Sequence, residues 1–196
     1  DATFGFDTAL SVATDAIDRL HSTSESHHRV MVVEVMGRNA GWIALEAGLA
    51  GGAHAILIPE IPFRYESICD MIQKRDSFGR RFSIMVVAEG ATPVEGALVF
   101  QDAERKRLGG IGNKVGEEIA ARTGKEARVT VLGHLQRGGS PTAFDRVLAT
   151  RFGSEAVHLI AEGGFGNIVA LQGWRVESYP IEQAVAQLKT VPLDSE

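Results

Sequence analysis

The sequence predicts an α/β protein, a three-layer sandwich with a parallel sheet in the middle. Segments with helical periodicity alternate along the chain with short apolar segments, and those apolar segments are continuous. Continuously apolar strands are typical of a parallel sheet that helices cover on both faces. The 196 residues, 44% of them hydrophobic, suffice for one globular domain, or one and a part, with a real core.

The individual elements follow from apolar runs bounded by glycine, proline or polar clusters. Asp7 is a candidate cap for a first helix whose apolar stripe continues through Leu20, and Ser140 with Pro141 form a capping pair for a later helix. Gly124 ends the helix before it. The predicted strands are 30–36, 55–60, 82–90, 127–134 and 168–173, and the predicted helices are 7–20, 42–49, 65–74, 108–123, 141–160 and 181–189, with 21–29 as a loop and 91–104 irregular.

Composition excludes several classes of protein. A net charge of −5 argues against a general nucleic-acid binder, which usually carries a basic excess. Cys69 is the single cysteine, which rules out an intrachain disulfide or a CxxC metal site and agrees with a reducing cytosol. No apolar run is long enough to span a bilayer, and there is no signal-peptide pattern. Because the chain begins at Asp1 and enters a helix almost at once, we expect it to be part of a longer polypeptide.

Polar residues follow the carboxyl ends of the predicted strands, where open α/β sheets bind ligands. Arg38, Glu89, His134 and Arg137 all stand at such positions. Arginine suits phosphate oxygens, a carboxylate accepts hydrogen bonds from hydroxyl groups, and a helix opening at Ser140 would add free N–H groups. Together these residues predict a site for a phosphorylated polyol or sugar.

Each of these residues has an ordinary interpretation when it is taken alone. An arginine after a strand is usually a solvated charge, His134 alone is more often structural, and Glu60 is best read as a surface residue at a strand end. The adjacent pair His27–His28 is a poor metal site because neighbouring side chains diverge. The glycine-rich stretch 108–116 lacks the G-x-G-x-x-G spacing, which favours close helix packing over a dinucleotide loop.

Two further arginines lie at the opposite ends of strands. Arg29 precedes the first strand and Arg128 opens the fourth. At about 3.3 Å per residue, the first strand separates Arg29 from Arg38 by roughly 20 Å. Arg29 and Arg128 are therefore surface residues, serve a second site, or reach the site of a neighbouring subunit.

Three segments carry a resemblance to a known family. Residues 5–20 (GFDTALSVATDAIDRL), 32–42 (VVEVMGRNAGW) and 130–146 (TVLGHLQRGGSPTAFDR) resemble the 6-phosphofructokinase family. The likeness runs nearly end to end. The chain resembles the C-terminal, sugar-phosphate-binding half of this two-lobed enzyme and starts just after the family's catalytic T-I-D-N-D segment.

The resemblance implies a role for each matching residue. Arg38 would bind the sugar phosphate and face the transferring phosphoryl group, and Arg29 and Arg128 would reach across an interface into a neighbour's sugar site. The residues that would bind fructose 6-phosphate are Met36, Gly37, Arg38, Glu89, His134 and Arg137.

Departures from the family pattern concern regulation and the phosphoryl donor. His54 stands where allosteric bacterial members have a carboxylate, and His21 where they have an effector arginine. Their basic effector cluster is matched only by Arg80 and Arg81. The sequences of segments 36–52 and 86–91 are more similar to the branch that contains pyrophosphate-dependent and mixed-substrate enzymes.

The resemblance also implies the activity and the organisation of the chain. The reaction would be phosphoryl transfer from ATP or pyrophosphate, with Mg²⁺ accompanying the donor, to the 1-hydroxyl of fructose 6-phosphate, in a cytoplasmic glycolytic homo-oligomer, a dimer or tetramer. Residues 1–135 and 186–196 would form the sugar-phosphate lobe, and 136–185 would cross to the nucleotide lobe. Because the catalytic aspartate lies upstream, we expect residues 1–196 alone to be inactive as a kinase. No residue set for a metal is identified in the chain.

Two alternatives remain open. The first is a pyrophosphate-dependent phosphofructokinase. The second is a non-catalytic module that binds a sugar phosphate and has a regulatory role.

Overall fold

The chain folds into two compact units. A computed structural model describes residues 2–102 and 107–194. The larger unit comprises Leu10–Gly138 and the tail from Thr190, and the smaller comprises the residues up to Ala9 together with Gly139–Lys189. The sequence analysis grouped residues 2–9 with the larger unit, whereas their contacts group them with the smaller. Residues 103 and 104 of the predicted irregular stretch, and residues 1, 195 and 196 of the predicted lobes, lie outside the described residues.

Helices and strands alternate through the larger unit, as predicted. Its elements are α1 (Phe6–His27, which begins in the smaller unit), β1 (Val30–Val35), α2 (Trp42–Ala50), β2 (Ala55–Leu57), α3 (Tyr65–Ser77), β3 (Ser83–Ala88), β4 (Phe100–Asp102), β5 (Arg107–Leu108), α4 (Ile111–Thr123), β6 (Ala127–Val131) and a 3₁₀ helix (Gly133–Arg137). The smaller unit contains α5 (Ala143–Ala161), β7 (Asn167–Gln172), β8 (Arg175–Pro180) and α6 (Ile181–Ala184).

The larger unit is built on a parallel sheet with the strand order β2-β3-β1-β6. The central strand β1 pairs in parallel with both β3 and β6. All six residues of β1 and all six of β3 are buried, because helices cover both faces. The predicted α/β fold with a parallel sheet is therefore confirmed, and the continuous apolar runs have the physical cause that was expected of them.

Alternate residues of the strands enter two separate cores. On one face, Ile17 of α1 and Ala44 of α2 pack with Val33 of β1. On the other face, Ile72 of α3 and Ile119 of α4 belong to the core that contains Val32 of β1. The two cores give the three layers, helix, sheet and helix, that the sequence predicted.

Helix α1 continues beyond the predicted loop. The stretch 21–27 was predicted as a loop because it is polar, yet the helix runs to His27. Side chains there bond to the backbone one turn earlier, with Ser26 Oγ donating to Ser22 O at 2.6 Å. Ser24 is fully buried, and its Oγ donates to Arg29 O at 3.2 Å. Ser24 therefore continues the buried face of the helix with a polar residue, and its hydrogen bond ties the helix end to the residue before β1.

The glycine-rich stretch 108–116 serves close packing, as predicted. A Cβ on Gly116 would lie 2.7 Å from Val129 Cγ2, and one on Gly112 would lie 3.0 Å from Glu34 Cβ. Glu34 is a buried carboxylate near the end of β1 that accepts hydrogen bonds from Gly110 N (3.0 Å) and Gly112 N (2.7 Å). It thereby satisfies free N–H groups at the start of α4.

The smaller unit corrects three sequence predictions. Helix α5 begins at Ala143 with Thr142 as its cap, not at Ser140, and Thr142 Oγ1 accepts from Asp145 N. The helix therefore offers no N–H groups at Ser140. A hairpin partner, β8, pairs with β7 across 173–174, where only one strand was predicted. The last helix, α6, is Ile181–Ala184 and does not reach 189.

Further boundaries differ in the larger unit. Strand β4 lies within the stretch 91–104 that was predicted to be irregular, and α4 begins at Ile111 rather than at residue 108. Strand β2 ends at Leu57 rather than at residue 60, and β6 ends at Val131, after which the chain forms the 3₁₀ helix Gly133–Arg137. No helix of the described residues combines the length and the apolar character that crossing a bilayer requires.

Helix packing at Gly116 generates a stability prediction. Gly116→Ala pushes a methyl group against Val129, so we expect the larger unit to lose about 1–3 kcal/mol of unfolding free energy. Urea unfolding followed by Trp42 fluorescence measures this change.

The matched control is Gly153→Ala in the interior of α5, where an added Cβ meets no atom within 4 Å. This change should leave stability equal or raise it by about 0.4–1 kcal/mol. An unchanged midpoint for Gly116→Ala would contradict the close packing of α4 on β6.

Candidate functional site

The register of the sheet brings the carboxyl ends of three strands, β1, β3 and β6, to one edge. Val35 of β1 lies opposite Ala88 of β3, and Glu34 lies opposite Val131 of β6. The segments that follow these strands therefore leave the sheet at one edge. They begin at Met36, Glu89 and Leu132, and they carry the residues that the sequence singled out.

Glu89 holds the turn that follows β1. Its Oε1 accepts hydrogen bonds from Arg38 N at 3.0 Å and Gly37 N at 3.3 Å. Arg38 has a φ of +52°, a left-handed conformation that is uncommon for a residue with a side chain. A Cβ on Gly90 would overlap with Arg38 O, so only glycine permits this close approach. The Glu89–Gly90 and Gly37–Arg38 segments are thus fixed against each other.

Gln136 links the third segment to the same turn. Its Oε1 accepts a hydrogen bond from Met36 N at 2.8 Å, and the residue is only 1% exposed. The sequence analysis missed Gln136, although it lies between His134 and Arg137. A buried amide among exposed neighbours is visible only once the chain is folded.

Three basic side chains at this edge have no partner within the part of the chain that the structure describes. Arg38, His134 and Arg137 are all exposed. In residues 2–102 and 107–194, their side chains form no hydrogen bond or ion pair. Exposed, unpaired guanidinium groups beside an ordered backbone turn can bind an anionic ligand without first breaking a salt bridge. Glu89 contributes an acceptor at the same place, since its Oε2 does not take part in the two backbone bonds.

The two arginines at the amino edge of the sheet are paired instead. Glu126 Oε2 accepts from Arg29 Nε at 2.6 Å, and Glu126 Oε1 forms an ion pair with Arg128. The hydrogen bond from Arg29, aided by the charge of Arg128, lowers the pKa of Glu126. Because Arg29 and Arg128 flank the opposite end of β1 and β6, they do not join Arg38 within one subunit.

The region of the predicted effector residues contains an aromatic cluster. Phe82 meets His54 edge to face with ring centroids 5.6 Å apart, and His21 at 6.1 Å. Ile84 N donates to His54 Nδ1 at 2.9 Å. Burial, together with the Arg75 charge, lowers the pKa of His54 to about 4. The cluster therefore presents a neutral imidazole where the family resemblance places a carboxylate.

Arg80 and Arg81 lie beside this cluster on the surface. Both are exposed, and the Arg81 carbonyl accepts from Lys125 Nζ at 3.4 Å. An effector role for these two arginines stays a prediction.

Glu60 does more than occupy a strand end. Its Oε1 accepts from Gly41 N at 3.0 Å and from Val191 N at 2.9 Å. It therefore joins the start of α2 to the C-terminal tail, whose Val191 is buried in the core.

No metal-binding cluster is found within the described ranges. Groups of three or more His, Cys, Asp or Glu side chains close enough to hold an ion do not occur there. The pair His27–His28 accordingly forms no such group.

The fold and the strand-end site define the class of the protein. Open parallel α/β sheets bind small ligands beyond the carboxyl ends of their strands, and this chain places Glu89 and exposed basic side chains at that edge. The chain belongs to the phosphofructokinase family, because the family model described as phosphofructokinase matches residues 1–160.

The relatives in this family carry two kinds of name. The chain is 54% identical, over 99% of its length, to an ATP-dependent 6-phosphofructokinase of Corynebacterium efficiens. It is 57% identical, over 98% of its length, to a pyrophosphate–fructose 6-phosphate 1-phosphotransferase of Amycolatopsis methanolica. The chain spans 58% of the length of each of these two relatives.

A solved structure agrees with the fold. The phosphofructokinase of Saccharomyces cerevisiae superposes with a TM-score of 0.81 at 38% identity, covering 95% of this chain and 24% of the yeast chain. The predicted family and the phosphofructokinase-like fold are therefore confirmed.

The depressed pKa of His54 predicts a pH dependence of stability. The folded state holds His54 neutral down to about pH 4, whereas an unfolded histidine takes up a proton near pH 6.5. Between these values the unfolded state binds more protons, so stability falls as pH is lowered from about 6.5 to about 4. Thermal unfolding at pH 7.5 and pH 4.5 measures this loss.

His54→Asn is the informative variant because Asn Oδ1 can still accept from Ile84 N but does not titrate. Its melting temperature should fall less between the two pH values than that of the wild type. His158→Asn, at an exposed position of α5, is the control and should keep the wild-type difference. Equal pH dependence in wild type and His54→Asn would refute the assignment of the acid-induced loss of stability to His54.

Proposed function

We propose that the protein transfers a phosphoryl group to the 1-hydroxyl of fructose 6-phosphate and so forms fructose 1,6-bisphosphate. Membership of the phosphofructokinase family supports this reaction. The observation that carries it is the group of three exposed basic side chains at one strand edge, which have no partner among the described residues and lie next to the backbone turn that Glu89 orders.

The chemistry of each side chain suggests its role. Arg137 and His134 hold the existing 6-phosphate, with guanidinium and imidazole donors toward its oxygens. Glu89 accepts hydrogen bonds from sugar hydroxyls through Oε2, while Oε1 stays with the backbone. Met36 and Gly37 shape the floor of the sugar site, and Arg38 neutralises charge on the transferring phosphoryl group. Such catalysis consists of positioning and charge stabilisation.

The phosphoryl donor is ATP or pyrophosphate. The names of relatives at 54% and 57% identity support both, one ATP-dependent and the other pyrophosphate-dependent. Mg²⁺ is proposed to accompany the donor, since metal ions neutralise the charge on transferring phosphoryl groups.

Arg29 and Arg128 are proposed to serve the sugar site of a neighbouring subunit in a homo-oligomer, a dimer or tetramer. Their place at the amino end of β1 and β6 supports this, because that end is roughly 20 Å from Arg38. Glu126 pairs with both of them on the surface of the chain.

The chain is proposed to contribute to two lobes of the enzyme, whose boundaries lie near those of the compact units except that the residues up to Ala9 group with the smaller unit. Residues 1–135 with 186–196 would form the sugar-phosphate lobe, and 136–185 would join the lobe that binds the donor. Large exposed apolar side chains of the smaller unit support its packing against further protein. They include Val157, Phe165, Trp174 and Val185. A glycolytic, cytoplasmic enzyme is the proposed setting.

A donor-swap assay tests the reaction. The complete natural protein is incubated with fructose 6-phosphate, Mg²⁺ and either ATP or pyrophosphate, and fructose 1,6-bisphosphate is measured. We expect turnover with one donor well above the other. Tight binding of fructose 6-phosphate without turnover on either donor would instead favour the non-catalytic module.

Arg137→Ala tests the phosphate contact. Losing a guanidinium that pairs with a desolvated phosphate should weaken fructose 6-phosphate binding by on the order of 2–5 kcal/mol, measured by calorimetric titration. Arg19→Ala is the control, since Arg19 pairs with Asp15 on the exposed face of α1, away from the strand edge. Equal affinity in both variants would argue against a phosphate site at Arg137.

Arg128→Ala tests the contribution between subunits. The variant should weaken fructose 6-phosphate binding in the assembled protein and leave the affinity of the dissociated subunit unchanged. Titrations above and below the dissociation concentration, with the assembly checked by sedimentation, separate the two cases. A loss of affinity in a proven monomer would place Arg128 in its own subunit's site.

A further inference from the structure

Gln136 is buried where its neighbours are exposed. It is 1% exposed, whereas Leu135, the residue before it, is 71% exposed and Arg137 after it is also exposed. Burying a polar amide is unfavourable unless its polar atoms have partners. The position therefore calls for a specific interaction.

That interaction completes a set of three consecutive backbone bonds. Met36 N donates to Gln136 Oε1 at 2.8 Å. Gly37 N and Arg38 N donate to Glu89 Oε1 at 3.3 and 3.0 Å. The whole turn after β1 is thus held by two side chains, one from the segment after β3 and one from the 3₁₀ helix after β6. Arg38, with its φ of +52°, needs such support to keep its conformation.

The second polar atom of Gln136 is an unused donor. Its Nε2 is buried and has no hydrogen-bond partner among the residues that the structure describes. The hydrogen bond of the Gln136 side chain to the described residues is therefore made by its acceptor atom, Oε1.

We propose that Gln136 is a positioning residue for the sugar-phosphate site. Through Met36 N it locks the 3₁₀ helix that carries His134 and Arg137 to the turn that carries Arg38, so that the cations from both segments keep one arrangement. It acts through these residues and does not react itself. The identity of the ligand in this inference rests on the proposed function. The hydrogen bond from Met36 N to Gln136, called the lock below, does not depend on it.

Gln136→Met tests the lock directly. Methionine has a similar shape but no acceptor, so residue-resolved hydrogen exchange in the complete natural protein should show the Met36 amide exchanging about tenfold faster or more. Gln136→Glu keeps an acceptor oxygen and should retain the protection. Leu135→Ala is the control for a general disturbance of the 3₁₀ helix and should leave Met36 protected.

Fructose 6-phosphate affinity provides the second readout. Gln136→Met should raise the dissociation constant on the order of tenfold in the wild-type background and much less in an Arg38→Ala background, because it acts through the turn that carries Arg38. A merely structural role would weaken binding equally in both backgrounds.

The two readouts separate the two claims. If the wild type did not bind fructose 6-phosphate, the proposed function would fail while the exchange result still decided the lock. Unchanged Met36 protection in Gln136→Met would overturn the proposal, and so would equal loss of affinity in both backgrounds. If Gln136→Met does not fold, loss of Met36 protection in the folded Gln136→Glu protein would overturn it.

Discussion

Parallel pairing of β1 with both β3 and β6 is the constraint on which the site depends. The pairing places Val35 beside Ala88 and Glu34 beside Val131, so three chain segments leave the sheet at one edge. Hydrogen bonds from the turn after β1 to Glu89 and Gln136 then fix those segments against one another. Slipping a strand by one residue would turn its side chains to the other face and separate the exits. The buried faces of the sheet therefore stabilise the geometry of the site as well as the fold.

The sequence was sufficient for the parts of the fold that apolar patterning controls. Continuous burial of β1 and β3 follows from runs that are apolar apart from Glu34 and Ser83, and the glycines at 112 and 116 were correctly assigned to close packing. The segment 21–27 was mispredicted because a serine, Ser24, continues the buried face of the helix where an apolar residue would have been expected. Strand β8 was missed because its residues are mostly exposed and carry no apolar period.

The sequence could place the residues of the candidate site at one edge of the sheet, but it could not show the contacts that support them. Strand-end positions identified Arg38, Glu89, His134 and Arg137, because parallel strands end at a common edge. The sequence could not show that Glu126 pairs with the arginines at the other edge, nor that Gln136 turns inward. Both depend on contacts between segments a hundred residues apart or nearly so, which no local pattern records.

A structure of the complete protein with fructose 6-phosphate bound tests the account most directly. The account predicts that the phosphate lies within hydrogen-bond distance of Arg137 and His134, with a sugar hydroxyl donating to Glu89 Oε2 and with Met36 N still bonded to Gln136. A sugar phosphate bound at any other surface, with Arg38, Glu89, His134 and Arg137 left facing solvent, would contradict it.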